Sequence, residues 1–201
     1  MSFLCQAVCN SFDLANQITD RGSGAGMNIS FWHPLVGGIG QGEAYFYTGL
    51  YATNNYANPP SPFGPMVVLQ EYDSNQNICL SAPLGFTTVW ECNGSGRPCK
   101  LGIYSLQAPA GYIALGSIAV ADFNTPPTLV DYPGLMCVRE EFCQLVSLTK
   151  ENLIWDDRDS GADSHVLVWQ LPYSGACFAH SCEPSQGYPT TIQTFDIILL
   201  P

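Results

Sequence analysis

Positive charge is what this sequence has least of. Six Lys and Arg stand against 17 Asp and Glu, a formal net charge of −11 over 201 residues. Lys and Arg make the contacts to nucleic-acid phosphates, so the shortage argues against a nucleic-acid partner. It argues equally against electrostatic docking on anionic lipid. Long apolar runs are missing too. Nothing approaches the ~20 residues that cross a bilayer as a helix, so no transmembrane segment is expected. The opening MSFLCQAVCNSFDLANQ has neither a basic start nor a sustained apolar stretch, and no signal peptide is read in it. Helical periodicity is also scarce, with residues 10–17 and 133–144 coming nearest to a helical turn. There is no P-loop, no dinucleotide fingerprint and no H-E-x-x-H. The stretch GSGAG at 22–26 places its serine wrongly for a nucleophile elbow, and His33, His165 and His180 sit in no nucleophile motif. An enzyme is not expected.

What the chain does contain is a repeat. Residues 19–32, TDRGSGAGMNISFW, lie over a later stretch at an offset of 137. Asp20 falls on Asp157, Arg21 on Arg158, Ser23-Gly24-Ala25 on Ser160-Gly161-Ala162, and Trp32 on Trp169. A further copy, VWECNGSGRPCKLGIYSL, precedes the last by 65, with Trp90 under Trp155, Ser95-Gly96 under Ser160-Gly161 and Tyr104 under Trp169. Each copy runs from an apolar or aromatic entry through a Ser-Gly turn into a second β-type run, which is a hairpin signature. His165, Leu167 and Trp169 alternate with Val166, Val168 and Gln170, a strand period of two. Residues 118–127 lie over 51–60, and 112–116 over 45–49, at an offset of 67; 136–138 lie over 66–68 at 70.

A repeat of this length decides the architecture, because one unit cannot bury its apolar face alone. The reading is one all-β domain over 1–201, with units at 18–84, 85–149 and 150–201. The third unit looks incomplete, and a strand from 1–17 is expected to close it by pairing with the last strand. The Pro-rich 58–62 aligns with 124–128 and reads as a loop, not a linker.

Nine cysteines are many for a reducing compartment. They tilt the expected location towards secretion, where Asn28 and Asn93 would be glycosylation acceptors. Cys92 with Cys99 across the middle turn, Cys137 with Cys143, and Cys177 with Cys182 are the candidate disulfides, and the odd count leaves at least one thiol free or intermolecular. In the third turn, Asp157, Asp159 and Asp163 with the carbonyl of Gly161 could wrap a hard cation, calcium by preference. The competing reading is an Asp- and Gly-rich turn. Trp32, Tyr104 and Trp169 are expected in the core and not on a sugar-stacking platform.

The motifs IWDDRDSGADSHVLVW, PAGYIALGSIAV with Pro126-Pro127, and Met136-Cys137-Val138-Arg139-Glu140 resemble the vacuolar-protein-sorting-associated protein 62 family. They are also similar to the multivesicular-body-associated β-prism domains. The resemblance spans about residues 18–172. It implies a β-prism, three antiparallel sheets forming the walls of a triangular prism, with no catalytic residues to carry over. Ser117 stands where that family often has Asp. Function is then expected to be lectin-like recognition of a glycan or cell-surface glycoconjugate by the turn loops, through Asp20, Ser23, Gly24, Asp157, Ser160 and Gly161. The alternative is a membrane or trafficking adaptor, or the targeting component of a pore-forming toxin system, acting with a partner protein.

Overall fold

The computed structural model describes residues 3–36, 44–57, 66–72, 79–94, 96–185 and 187–198. Sixteen strands are found among them: β1 (Phe3–Cys9), β2 (Ile18–Thr19), β3 (Ser30–Trp32), β4 (Tyr51–Thr53), β5 (Met66–Tyr72), β6 (Leu80–Ser81), β7 (Gly85–Glu91), β8 (Gly102–Gln107), β9 (Tyr112–Ile113), β10 (Ser117–Val120), β11 (Cys137–Arg139), β12 (Cys143–Thr149), β13 (Leu153–Asp156), β14 (His165–Gln170), β15 (Cys177–Cys182) and β16 (Thr191–Ile197). Among the described residues helix is limited to three single 3₁₀ turns at Leu129–Asp131, Glu140–Phe142 and Lys150–Asn152. The second falls inside the expected 133–144; 10–17 holds no helix.

Three antiparallel three-stranded sheets, β2-β3-β4, β7-β8-β10 and β13-β14-β15, form three equivalent walls. Each begins with the Ser-Gly hairpin seen in the sequence. The remaining strands follow the same logic. The strand ahead of each hairpin pairs with the strand that ends the same unit: β1 with β5, β6 with β11, and β12 with β16. The expected closure is therefore corrected. Residues 3–9 pair with 66–72 in their own unit, and the third unit is complete because 143–149 supply its opening strand. The repeat frame begins one strand earlier than the sequence alignment placed it. The described tie between β1 and the chain's end is a single bond, Gln6 Nε2 to the Ile198 carbonyl.

The walls meet where Gly49, Gly116 and Ala176 converge. Gly116 donates its N–H to the Thr48 carbonyl, Leu50 donates to Ser117, and Cys177 donates to Leu50. A methyl group on Gly49 would press on the Gly116 backbone, and one on Gly116 would press on Thr48 and Gly49. That close approach requires glycine. Trp32, Trp90, Trp155 and Trp169 are at most 1% exposed. Each removes some 150–250 Å² from water, about 4–6 kcal/mol of transfer free energy before entropy is charged. That outweighs any sugar-stacking role for Trp32, Trp169 or the equally buried Tyr104, and these are core residues as expected. Two of the tryptophans also lock unit to unit. A register shift lies between Thr88 and Trp90, and another between Leu153 and Trp155. A bulge of this kind re-aims the next side chain. Trp90 Nε1 donates to the Ser164 carbonyl and Trp155 Nε1 to that of Met27, equivalent positions in the following unit. Their rings meet edge-on, 5.7 Å apart.

Candidate functional site at the loop end

Residues 20–28, 92–100 and 157–164 connect the first two strands of each wall, so the threefold arrangement brings all three turns to one end. They also bond to one another. Gly26 donates its N–H to the Arg158 carbonyl, and Asp163, its equivalent in the third unit, donates to Asn93. The third member of that ring would be Pro98, which has no N–H to give; its ring instead packs on Gly22.

Two of the loops are built on the same clamp. Asp20 accepts from Ser23 Oγ at 2.8 Å, Ile29 N at 2.9 Å and Tyr56 OH at 2.9 Å. Asp157 accepts from Ser160 Oγ at 3.2 Å, Val166 N at 3.0 Å and Tyr188 OH at 3.0 Å. Each serine oxygen takes a backbone N–H in return, from Ala25 and Ala162. Arg21 covers the Tyr56 ring at 4.4 Å, and Arg158 covers Tyr188 at 5.1 Å. Burial and the neighbouring carboxylate push the Tyr56 phenol up to about 12, and the same causes raise Tyr188, so both remain hydrogen donors at neutral pH. His165 Nδ1 joins the third clamp, 3.0 Å from the Tyr188 oxygen and 3.4 Å from Asp157 Oδ2. Ser160 donates to the carboxylate and not to this imidazole, which is not the order that activates a serine.

The middle loop departs from the pattern as a set. Cys92 stands at the aspartate position and keeps the backbone bond, donating its N–H to Leu101 as Asp20 does to Ile29 and Asp157 to Val166. Phe123 stands at an offset of 67 from Tyr56, so carboxylate and phenol are lost together. Cys92 faces Cys99, and the hydrogen bond between the two thiols holds Cys92 well above the ordinary thiol range. Ser95 lies outside the described residues.

These positions correct three expectations. Asp20, Ser23, Asp157 and Ser160 are at most 2% exposed and hydrogen-bonded within their own loops, so they hold the turns; Gly24 and Gly161 alone of that set are exposed. The calcium triad does not assemble. Asp157 faces inward, Asp159 lies against Gly26 and Asp163 lies over Gly94, towards different neighbours. Among the described residues no group of three His, Cys, Asp or Glu is placed to hold a metal ion. No two cysteines stand at disulfide distance, so the candidate pairs Cys92–Cys99, Cys137–Cys143 and Cys177–Cys182 are not bridged. Cys177 and Cys182 open and close β15, about 16 Å apart in an extended strand. Cys143 points its thiol at the carbonyls of Val138 and Arg139.

What the loop end presents is different from what the sequence singled out. Arg21, Asn28, Asn93, Arg97, Arg158, Asp159 and Asp163 are exposed there, beside the half-buried rings of Tyr56 and Tyr188. Arg97 reaches across so closely that a methyl at Gly24 would collide with its guanidinium. Both tyrosines were missed. The available signal was a tyrosine shortly beyond the third strand of a wall, just ahead of Pro59-Pro60 and of Pro189.

No family model matches the chain, and no curated protein matches it. Among solved structures it is similar to GNIP1Aa from Chromobacterium piscinae, with 25% sequence identity and a TM-score of 0.70. The likeness covers 88% of this chain and 32% of that one, so the chain spans about a third of GNIP1Aa's length. The fold is a β-prism. Three equivalent walls, unit-to-unit tryptophans and a shared loop end are its parts here.

Proposed function

We propose that this prism is a non-enzymatic recognition module, lectin-like, binding glycans at its loop end. The observation that carries the reading is the gathering of three turns at one end, two of them built on buried Asp-Ser-Tyr clamps. A rigid ring of turns is a preorganised surface, and preorganisation lowers the ordering cost of binding. Sugar hydroxyls both donate and accept, which suits the exposed Arg21, Arg97 and Arg158 together with Asp159, Asp163 and Asn28. The clamps are saturated, so the contacts fall to these outer side chains, and binding needs no calcium. The test is a glycan array run with calcium and again with chelator, with folding followed by circular dichroism. A hit indifferent to chelation, and lost in Asp159→Ala/Arg97→Ala, is expected. A blank array with folded protein overturns the reading.

A second reading is a targeting component of a pore-forming toxin system, or a trafficking adaptor, working with a protein partner. Its support is that the matched part of GNIP1Aa is one portion of a much longer chain. The motif resemblance to the vacuolar-protein-sorting-associated protein 62 family favours the adaptor form. Capture of one stoichiometric partner by the loop end, with a blank array, would favour it over the first.

A further inference from the structure

Along the seam between the first and second units the surface parts to leave a groove of about 920 Å³. That is within the range of small-ligand pockets. Its wall is aromatic: His33 stacks on Tyr132 with centroids 5.1 Å apart, and Tyr47 lines the same space. Three carboxylates, Asp13, Asp122 and Asp131, also line it, and no Lys or Arg does. Lys100 reaches Asp122 from outside at 3.1 Å. Asp13 and Asp131 have no Lys or Arg partner among the described residues. Asp131 uses Oδ2 for both Thr128 N and Thr128 Oγ1, which leaves its second oxygen for a ligand.

The pseudo-threefold symmetry supplies an internal control. Between the first and third units lies the equivalent groove, about 340 Å³, where Gln170 stands for His33 and Asn55 for Asp122. Asn55 Oδ1 accepts Ala57 N as Asp122 Oδ1 accepts Asn124 N. On the opposite wall Thr149 Oγ1 accepts Glu151 N, as Asp13 Oδ1 accepts Ala15 N. Neutral side chains therefore hold the same turns. The smaller groove carries one carboxylate, Glu151, but at the positions of Asp13 and Asp122 the turns need no charge, and there the negative charge of the larger groove is surplus. Local hydrogen bonds lower the pKa of all three aspartates, from Asn16, Asn124 and Thr128 respectively, so they are ionised at neutral pH. Burial lowers that of His33, which keeps the imidazole neutral and adds no opposing charge.

We propose that this groove binds a small organic cation, an ammonium group on an apolar body. Asp13 and Asp131 face the charge, and the His33–Tyr132 pair receives the body. Cations are favoured next to both carboxylates and ring faces. Its lining residues lie outside the three hairpin turns, and the proposal does not depend on the glycan reading.

Choline is the probe, and 3,3-dimethylbutan-1-ol, its neutral carbon isostere, is the control. Titrations followed by two-dimensional NMR of the intact chain read both the affinity and the place. Choline is expected to shift the His33 and Tyr132 signals saturably, at least about tenfold more tightly than the alcohol. Asp13→Asn/Asp131→Asn is expected to weaken choline by about tenfold and leave the alcohol unchanged. Equal affinities for the two probes would overturn the proposal, as would shifts confined to the groove bearing Gln170 or no saturable shift at all. The comparison within the wild-type protein stands even where the double variant folds poorly.

Discussion

Asp20→Ala separates a carboxylate that holds a loop from one that holds a ligand. In the folded chain this side chain is fully buried and accepts from Ile29 N, Ser23 Oγ and Tyr56 OH. Alanine leaves the Ile29 N–H without its acceptor, in a site no water reaches, at a cost of about 1–3 kcal/mol. Ser23 can still accept from Ala25, and Tyr56 is half-buried and can turn to water, so each adds about 1 kcal/mol. The sum is about 3–5 kcal/mol, a large fraction of the ~5–15 kcal/mol that holds a domain together. For a chain of this length that lowers the melting temperature by roughly 6–20 °C.

The assay is thermal and urea unfolding of Asp20→Ala beside Cys92→Ala, the equivalent position of the middle unit. Cys92 anchors no such set of donors, so its removal should cost only about 1 kcal/mol, the value of the buried sulfur. A double-mutant cycle of Asp20→Ala with Ser23→Ala should be strongly non-additive, since the two share one bond. If Asp20→Ala melts within about 2 °C of wild type and loses glycan binding instead, the clamp is wrong and the carboxylate belongs to the ligand.

Other outcomes follow from the same geometry. Asp159 has φ 69°, where the equivalent Gly22 and Gly94 have 85° and 82°. Asp159→Gly should therefore be neutral or stabilising by up to about 1 kcal/mol, whereas Gly94→Ala should cost about 1–2 kcal/mol; a destabilised Asp159→Gly would give that side chain a structural role. Thiol titration in denaturant without reductant should count all nine cysteines, and seven or fewer would mean a bridge. In the native state labelling should be slow at Cys137, Cys143 and Cys177, whose thiols burial pushes up to about 12. On acidification the lowered pKa values of Asp13, Asp122 and Asp131 mean stability that is present above 3.8 and lost as pH falls through their folded values. Asp196, raised by burial, works in the opposite sense. The wild type's margin over Asp13→Asn/Asp122→Asn/Asp131→Asn should shrink steadily as pH falls below 3.8, and a margin that does not shrink on acidification would contradict the assignment.

The repeat was legible because the constraints that impose it are local. A hairpin needs its turn residues, and a wall needs its buried aromatic, so Ser160-Gly161 and Trp169 recur at fixed offsets from Ser23-Gly24 and Trp32. Strand pairing was less legible. That residues 3–9 bond to 66–72 and not to the last strand is a long-range choice with little local signal. Tyr56 and Tyr188 were hidden for the same reason, since each meets its aspartate only after the third strand of the wall has folded back. The groove could not be read at all. Its carboxylates come from turns on two units that touch only in the assembled prism.

The misreading of the loops has a physical cause that bears on any internally repeated protein. Asp20 and Asp157 drew attention because they recur, with Ser, Gly and Arg, in two copies. Recurrence inside one chain marks whatever every copy must do, and every copy must build its turn and bury its hairpin base. Binding chemistry needs no such repetition, since one surface meets one ligand. In this prism the clamps are alike while the outer side chains differ: Asp159 against Gly22, Asp163 against Gly26, Arg97 in the middle loop alone. The two grooves differ in the same way, Asp122 against Asn55 and His33 against Gln170. Where the units agree the residues hold the fold. Where they disagree at exposed or cavity-lining positions, the chain has been freed to specialise, and those positions are where binding should be sought.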